Sequence, residues 1–273
     1  MAKHALSSIR FARLLLTGAA GNLGRELRPR LKHYCDTLRL SHLSALGDAG
    51  AGEEDMAANL ADVDAVNRMV EGCEVIVHLG GVSTEQPWAP ILAGNIVGMY
   101  NLYEAARRHA VKRIVFASSN HVTGFHRQDQ VIGPKDPARP DGLYGLSKAF
   151  GEDLAQLYWD KHGLETVSLR IGSSFAAPLD RRMLATWMSF DDLERLVVAA
   201  LTAPVVGHSI IYGMSDNTTT WWDNTSARHI GYRPQDSSEV YRADIESRQQ
   251  VLDRNDPAVI YQGGAFVRVP KAD

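Results

Sequence analysis

Tyr144 and Lys148 form a Tyr-x-x-x-Lys pair, and these two residue types suit proton transfer. Residues four apart on a helix share a face, so the phenol and the ammonium group can point into one cleft. A free tyrosine has a pKa of about 10, but a neighbouring ammonium group favours the phenolate and lowers that pKa. The pair therefore predicts a general base, Tyr144, with an ordinary surface pair as the alternative.

Two serines, Ser118 and Ser119, end an apolar run that is typical of a strand. Parallel sheets bind their ligands at the carboxyl ends of the strands. A serine hydroxyl at such an end can hydrogen-bond the reacting oxygen and hold it at Tyr144. The alternative is that both serines are ordinary polar turn residues.

A glycine-rich turn containing Gly18, Gly21 and Gly24 follows the apolar run 14–16. Gly18 permits a tight turn, Gly21 lets a pyrophosphate approach the backbone, and Gly24 allows the next helix to pack closely on the sheet. The N–H groups at the start of that helix can then bind phosphate. The turn indicates a dinucleotide site, unless it is an ordinary glycine-rich turn.

The end of the second predicted strand lacks the acidic residue that binds the ribose hydroxyls of NAD. Arg39, Ser41 and His42 occupy this place instead. A carboxylate here repels the 2′-phosphate of NADP, so its absence leaves two alternatives. Either backbone groups suffice to bind NAD, or these three residues contact the phosphate of NADP.

Short apolar runs alternate with longer amphipathic stretches along most of the chain. This alternation predicts βαβ units, and unbroken apolar strands indicate a parallel sheet covered on both faces. We predict an α/β fold, a Rossmann-type doubly wound parallel sheet with a small C-terminal substrate-capping region. Residues 62–71, 88–110 and 143–162 are predicted to be helical and 45–54 to be a loop, while Pro29 is expected to shorten or kink the first helix.

The 273 residues carry a net charge of −3 and are 45% hydrophobic and 22% charged. This size suits one large domain with small appendages. We predict an N-terminal extension (1–11), a dinucleotide-binding domain (12–215) and a C-terminal cap (216–273) that form one compact unit.

The composition also excludes several classes of partner and location. A near-neutral charge argues against nucleic acid, and no apolar run reaches the length of a membrane helix or a secretory signal. Cys35 and Cys73 form no Cys-x-x-Cys pair and suit a reducing compartment, so we expect buried thiols in a cytoplasmic protein.

The glycine turn, Ser119, Tyr144 and Lys148 occur with two further segments, 78–81 and 95–101, the latter an Asn-x-x-Gly-x-x-Asn pattern. In this order they resemble the extended, epimerase-like branch of the short-chain dehydrogenase/reductase superfamily. The resemblance implies a Rossmann fold, a nicotinamide cofactor and Ser119, rather than Ser118, as the catalytic serine beside Tyr144 and Lys148. The cofactor residues then comprise Gly18, Ala20, Gly21, Asn22, Leu23, Gly24, Ser41, His42, Asn59, Leu60, Leu79, Gly80, Gly81, Asn95, Tyr144, Lys148 and Ile171.

A narrower pattern is carried by the segments 80–83, 118–121, 139–145, 170–173, 221–224 and 261–266. These segments resemble the uronate dehydrogenases, a family within that superfamily that oxidises C1 of galacturonate or glucuronate. The resemblance implies hydride transfer to NAD, an aldaric-acid lactone as product and association into a homo-oligomer. That family usually has acidic residues where His42 and Asn59 stand, so NADP remains an alternative. The implied substrate site comprises Ser83, Ser119, Asn120, His121, Tyr144, Ser173 and Arg182.

The chemistry of these residues agrees with a uronate, whose carboxylate a planar guanidinium binds through two parallel hydrogen bonds. Arg181 and Arg182 follow a predicted strand, and the resemblance selects Arg182; a solvated surface pair is the alternative. His121 and His126 lack a third ligand at metal-binding spacing, so we expect no metal and assign His121 to sugar hydroxyls. Tryptophans 221 and 222 are expected to be buried structural residues rather than a sugar platform.

Two other functions remain as alternatives. A sugar-nucleotide epimerase or dehydratase of the same superfamily needs a larger C-terminal region than residues 214–273. A non-catalytic regulator that senses a dinucleotide has no need for Ser119, Tyr144 and Lys148.

Overall fold

The computed structural model describes residues 9–43, 46, 48–248 and 253–268. In it, the apolar runs form strands and the amphipathic stretches between them form helices. Residues 1–8 of the predicted extension and 249–252 and 269–273 of the predicted cap lie outside the described residues. The strands of the described part are β1 (Phe11–Thr17), β2 (Cys35–Ser41), β3 (Glu53–Asp55), β4 (Val75–His78), β5 (Arg113–Ser119), β6 (Glu165–Ile171), β7 (Ser173–Ser174), β8 (Trp187–Met188) and β9 (His208–Gly213).

The helices that connect these strands vary widely in length. They are α1 (Asn22–Leu31), α2 (Val63–Val70), α3 (Trp88–Ile91), α4 (Gly98–Arg108), α5 (Leu143–His162), α6 (Met183–Thr186), α7 (Phe190–Thr202), α8 (Arg242–Arg248) and α9 (Pro257–Ile260). A π-helical segment, Leu92–Val97, joins α3 to α4, and 3₁₀ turns lie at Lys32–Tyr34, Asn120–Thr123, Thr225–Ile230, Ser238–Tyr241 and Gly264–Arg268.

Seven of the strands form a parallel sheet in the order β3-β2-β1-β4-β5-β6-β9. The chain winds outward from β1 in both directions, which confirms the predicted Rossmann-type doubly wound fold. β7 and β8 form a separate parallel pair.

Both faces of the sheet are covered by apolar residues of the helices. Alternate residues of β1 point to opposite faces, so Leu15 packs with α2, α4 and α5, while Leu14 and Leu16 pack with α1 and α7. Because neither face meets water, the strands are unbroken apolar runs rather than alternating ones.

Local signals set the ends of several helices. Asp62 accepts hydrogen bonds from the first N–H groups of α2, and Gly163 ends α5 in the left-handed conformation at φ 66°. The predicted range 143–162 is therefore confirmed. Pro29 lies inside α1, which ends two residues later at Leu31 and is short, as expected.

One sequence prediction was wrong in part. The loop predicted at 45–54, of which residues 45 and 47 lie outside the described residues, includes the start of β3, where Glu53 pairs with Leu38 although acidic residues are poor strand formers. The Arg28 guanidinium binds the Glu53 carboxylate at 2.7 Å, so a tertiary contact outweighs the local preference. The region 88–110 is helical as predicted as far as Arg108, and it includes a π-helical segment that contains Asn95.

Two buried arginines fasten helix ends to the sheet. Arg39 of β2 donates to the carbonyls of Met69 and Glu71 at the end of α2, at 2.9 and 2.7 Å. Arg113 of β5 does the same at the end of α7, where it reaches the Ala203 carbonyl at 2.7 Å. Of the three residues in the NADP alternative, Arg39 is therefore not available to a cofactor phosphate, because its guanidinium is already bound to α2.

The residues after β9 pack over the loop between β5 and α5. Trp222 pairs with Ile132 in an isolated bridge and stacks on Tyr212 with ring centroids 4.8 Å apart. Trp221 and Trp222 are both buried, which matches the expectation that they are structural.

Two further properties of the described residues concern membrane helices and cysteines. They contain no helix long and apolar enough to cross a membrane. Both cysteines are buried free thiols, and burial raises the pKa of Cys35 and of Cys73 to about 11, which keeps each protonated at neutral pH.

Candidate active site

The carboxyl ends of the central strands lie side by side and place most of the predicted site residues along one edge. Thr17 at the end of β1 pairs with Ser41 of β2 and with His78 of β4. One strand farther along, Ser119 of β5 pairs with Ile171 of β6. The parallel register therefore brings together residues that are up to 154 positions apart in the sequence.

The turn after β1 is a backbone cradle that admits no side chains. Gly18 has φ +68°, and a Cβ there would lie 2.7 Å from the carbonyl carbon of Leu79. Gly24, in the first turn of α1, packs so closely that a Cβ would collide with the carbonyl of Gly18. The loop after β4 joins this cradle, because Gly80 N donates to Thr17 Oγ1 at 3.0 Å.

The start of α1 fits the phosphates of a dinucleotide. Gly21 precedes the helix without any side-chain cap, and the first turn, which includes Asn22 and Leu23, carries no acidic residue. Uncapped N–H groups and the positive end of the helix dipole favour an anion here. The cradle and the helix start therefore fit a nicotinamide dinucleotide.

The remaining predicted cofactor residues surround this cradle. Ser41 is buried at the end of β2, and His42 follows it and accepts from Ala58 N at 3.1 Å through its carbonyl. Asn59 accepts from Ala61 N at 3.0 Å, and the Leu60 carbonyl accepts from Asn101 Nδ2 at 2.9 Å. Ala20 uses its carbonyl to bind Arg25 Nε.

Asn95 ties the loop after β4 to the helix that carries Tyr144. Its amide donates to the Val82 carbonyl and to Ser147 Oγ at 3.0 and 2.9 Å, and it accepts from Val82 N at 2.7 Å. Ser147 in turn donates to the Tyr144 carbonyl at 2.7 Å. Gly81 approaches Asn95 at φ +114°, a conformation that favours glycine.

Helix α5 presents Tyr144 and Lys148 to the same cleft, as their spacing predicts. The Lys148 Nζ lies 5.6 Å from the centre of the Tyr144 ring and donates to the Ala117 carbonyl at 2.8 Å. Burial lowers the pKa of Lys148 to about 8, because an ammonium group loses hydration in this environment.

The acidity of Tyr144 differs from the sequence expectation of a lowered pKa. Burial of the phenol raises its pKa, a hydrogen bond with Ser119 lowers it, and the negative charge of Asp141 raises it, with a net rise. The Lys148 ammonium is bound to a carbonyl rather than to the phenol, and so does not offset burial. Without a cofactor, Tyr144 is therefore protonated at neutral pH.

The two serines at the end of β5 have different environments. Ser118 donates to the buried carboxylate of Glu152 at 2.6 Å, and Arg170 holds that carboxylate through two bonds. Ser119 faces Tyr144 and also accepts from His121 N at 3.1 Å. Only Ser119 of this pair is placed to touch a substrate at the phenol.

A 3₁₀ turn after β5 brings Asn120 and His121 to the cleft. The His121 ring meets the Tyr144 ring edge-on at 5.9 Å and stacks on Phe266 at 3.8 Å. The Asn120 amide, oriented so that both its ends are satisfied, donates to the Ile171 carbonyl and accepts from Arg182 Nη2 at 2.7 Å.

Arg182 is half-buried, and its guanidinium is surrounded by neutral oxygen atoms. Its Nε donates to the Gln262 carbonyl at 2.8 Å, and Nη1 donates to Ser173 Oγ at 3.3 Å. Burial lowers the pKa of Arg182, and Asp180 and Asp141 raise it from beyond ion-pair distance. Within the described ranges no carboxylate forms a salt bridge with it.

Four further residues contact the candidate site residues, and the sequence did not single them out. Glu85 accepts from the N–H groups of Leu143 and Tyr144, each at 2.9 Å, and so caps α5 from a distant loop. Asp141, Gln262 and Phe266 contact His121 or Arg182. Asp141 and the 261–266 segment belong to patterns noted in the sequence, whereas no local pattern marks Glu85.

Ser83 is exposed in the loop between Val82, which binds Asn95, and Glu85, which accepts from Tyr144 N, so its place in the sugar site stays a prediction. His126 binds the Pro137 carbonyl at 2.9 Å and not a group shared with His121. The part of the chain that the structure describes contains no group of three or more metal-ligating side chains.

The model of the NAD dependent epimerase/dehydratase family matches residues 14–189. The chain belongs to the NAD dependent epimerase/dehydratase family. The match includes the glycine cradle, Ser119, the Tyr-x-x-x-Lys pair and Arg182.

Within the NAD dependent epimerase/dehydratase family, the chain is similar to dehydrogenases of uronic acids. It is 56% identical to the uronate dehydrogenase of Pseudomonas syringae pv. tomato over 258 residues, which cover 94% of each chain. It resembles the crystal structure of glucuronic acid dehydrogenase from Chromohalobacter salexigens with a TM-score of 0.94 and 52% identity over 96% of this chain and 98% of the other.

A third match is a structure of uronate dehydrogenase from Agrobacterium tumefaciens, a tyrosine-to-alanine variant complexed with NAD. Its TM-score is 0.93, with 52% identity over 95% of this chain and 98% of that one.

Proposed function

We propose that this protein oxidises C1 of a hexuronate, galacturonate or glucuronate, to an aldaric-acid lactone with NAD as the hydride acceptor. The observation that carries the proposal is the half-buried guanidinium of Arg182, whose hydrogen-bond partners among the described residues are neutral oxygens, in the cleft of Tyr144. A desolvated cation without an ion-pair partner favours an anionic ligand. The substrate carboxylate supplies that anion.

Tyr144 has the role of general base. With the sugar carboxylate at Arg182, the anomeric hydroxyl lies between Tyr144 and Ser119, whose hydroxyl lowers the pKa of Tyr144. Tyr144 as phenolate accepts the proton of that hydroxyl, while Ser119 holds the oxygen in place. Lys148 keeps positive charge beside the phenol, and Glu85 fixes the backbone of Tyr144.

Bound NAD supplies the hydride acceptor, and its positively charged ring favours the phenolate of a neighbouring tyrosine. The residues that hold it are those of the glycine cradle, the α1 start and Lys148. Asn95 keeps the loop of Gly80 and Gly81 in register with α5 and thus keeps the cofactor and base sites together.

We expect the ionisation of Tyr144 to depend on the cofactor. Alkaline titration of tyrosinate absorbance, taken as the difference between the unchanged protein and Tyr144→Phe, should place the Tyr144 pKa above about 10 without NAD. Saturating NAD should move the transition to lower pH. Identical difference curves with and without NAD would show that the ring charge does not activate this phenol.

The choice between NAD and NADP is tested at His42. This residue follows β2, at a place where the sequence has no carboxylate. His42→Asp should lower the ratio of rates with NADP and NAD roughly tenfold or more, because like charges repel at the 2′-phosphate. His33→Asp makes the same change before β2, at the opposite end of that strand, and should leave the ratio unchanged. An unchanged ratio in His42→Asp would place the 2′ position elsewhere.

The most direct experiment for the proposed reaction measures absorbance at 340 nm with galacturonate, glucuronate and galactose against NAD and NADP. Uronate-dependent reduction of NAD supports the proposal. If neither uronate led to reduction of NAD or NADP, the proposal would be refuted, and the epimerase and regulator alternatives would be favoured.

The proposal extends to organisation and location. Residues 216–273 act as a cap, supported by the Gln262 carbonyl on Arg182 and by Phe266 on His121. A homo-oligomer is supported by the exposed apolar residues Trp88 and Tyr100 near α4, and light scattering tests it. A cytoplasmic location is supported by the two free thiols.

A further inference from the structure

A buried carboxylate lies directly behind the His121 ring. The Asp141 side chain has no exposed surface, and its Oδ2 lies 2.7 Å from His121 Nδ1. Gly124 and Gly263 approach from two separate segments, and a Cβ on either would collide with this carboxylate. The space for the Asp141 carboxylate therefore depends on two glycines, one of them in the C-terminal region.

The contact determines which nitrogen of His121 carries a proton. An ionised carboxylate only accepts hydrogen bonds, so Nδ1 must donate, and in a neutral imidazole Nε2 then keeps its lone pair. Within the described ranges, Oδ1 of Asp141 has no hydrogen-bond partner, which leaves His121 as the side chain that binds this buried charge.

The rest of the ring is packed, apart from Nε2. One face stacks on Phe266, and the Tyr144 ring lies edge-on at 5.9 Å. Among the described residues Nε2 has no hydrogen-bond partner, although it belongs to the cleft where Tyr144 acts. Nε2 is therefore available to bind a group of the ligand.

We propose that Asp141 is a positioning residue that fixes His121 as the Nδ1–H tautomer, so that Nε2 accepts a hydrogen bond from a ring hydroxyl of the uronate. This inference rests on the proposed function. The lone pair of His121 Nε2 repels a carboxylate. The hydroxyl edge of the sugar therefore lies at His121, and the carboxylate of the sugar lies at Arg182. The two residues together set the direction in which the sugar lies beside Tyr144.

The tautomer is tested without substrate by ¹⁵N NMR of the full-length protein labelled in histidine, with His121→Gln used to assign the signals. We expect a protonated Nδ1 and an unprotonated Nε2 at pH 7.5. A proton on Nε2, in the other tautomer or in the imidazolium form, would overturn the proposal.

The effect on binding is tested with Asp141→Asn, whose amide no longer imposes one tautomer. We expect its KM for galacturonate and glucuronate to rise about tenfold, as for one lost hydrogen bond, with a smaller change in kcat because Tyr144 and Ser119 are retained. Asp136→Asn is the matched control, since its carboxylate binds Gly133 N outside the cleft.

The results of these experiments distinguish a positioning role of Asp141 from a structural one, and both from failure of the proposed function. A merely structural role of Asp141 would lower NAD affinity, thermal stability and kcat together, and that result would overturn the proposal. An unchanged KM in Asp141→Asn would also overturn it. Failure of the unchanged protein to oxidise any uronate would refute the proposed function and the hydroxyl contact, while the NMR result would still report the tautomer.

Discussion

Replacement of Tyr144 by phenylalanine is expected to lower kcat by about 10²- to 10⁴-fold, the usual contribution of a positioned general base. The substitution removes the hydroxyl and keeps the ring that packs beside His121 and Lys148. Binding of NAD, measured by calorimetry, should remain close to that of the unchanged protein, because the glycine cradle and the α1 start do not involve this hydroxyl.

The control for this substitution is Tyr100→Phe, the same change on an exposed residue of α4. It should leave both kcat and NAD binding unchanged. If Tyr144→Phe retained full turnover, another group would have to be the base. If it lost NAD binding as well as turnover, Tyr144 would have a structural role instead.

Replacement of Arg182 by alanine is expected to lower kcat/KM for a uronate roughly 30- to 700-fold. This corresponds to a loss of about 2–4 kcal/mol of transition-state stabilisation. The guanidinium is held in place by Gln262, Ser173 and Asn120 before any ligand binds, so little order has to be gained when the carboxylate arrives. Activity with galactose, which has no carboxylate, should change much less.

Arg181→Ala is the matched control, because Arg181 lies next in sequence but donates to the Glu246 carbonyl at 3.1 Å. It should not alter the preference for uronate over galactose. Equal losses with uronate and galactose in Arg182→Ala would refute the carboxylate contact. Circular dichroism and NAD binding would show whether the variant stays folded, and Arg182→Lys would retain charge without the bidentate geometry.

Local patterns in the sequence suffice to predict the fold class, which the structure confirms, and the centre of the candidate site. Apolar strand runs, the spacing of Gly18, Gly21 and Gly24, and the Tyr144–Lys148 interval are all local patterns with direct physical meaning. The parallel topology then follows, because right-handed βαβ connections bring the carboxyl ends of the strands to one edge. For this reason the sequence predicts Ser119 and Tyr144 at one edge of the sheet, and the structure has them facing each other there.

Local patterns failed where a distant contact outweighed them. β3 forms because Arg28 binds Glu53, and Arg39 turns away from the cofactor edge because the end of α2 offers it carbonyls. The Tyr144 pKa is raised rather than lowered, since burial and the Asp141 charge are properties of the folded environment. None of these effects has a signal in the neighbouring sequence.

The contacts that support the candidate site residues come from segments far apart in the sequence. Glu85 caps α5 from 58 positions away, Gln262 holds Arg182 from 80 positions away, and Asp141 meets His121 in a space that Gly263 leaves open. Spacing along a chain predicts contacts within one helix or one strand, whereas these contacts depend on how separate segments pack. The sequence thus predicts the reacting residues, and the packing sets their burial and their hydrogen-bond partners.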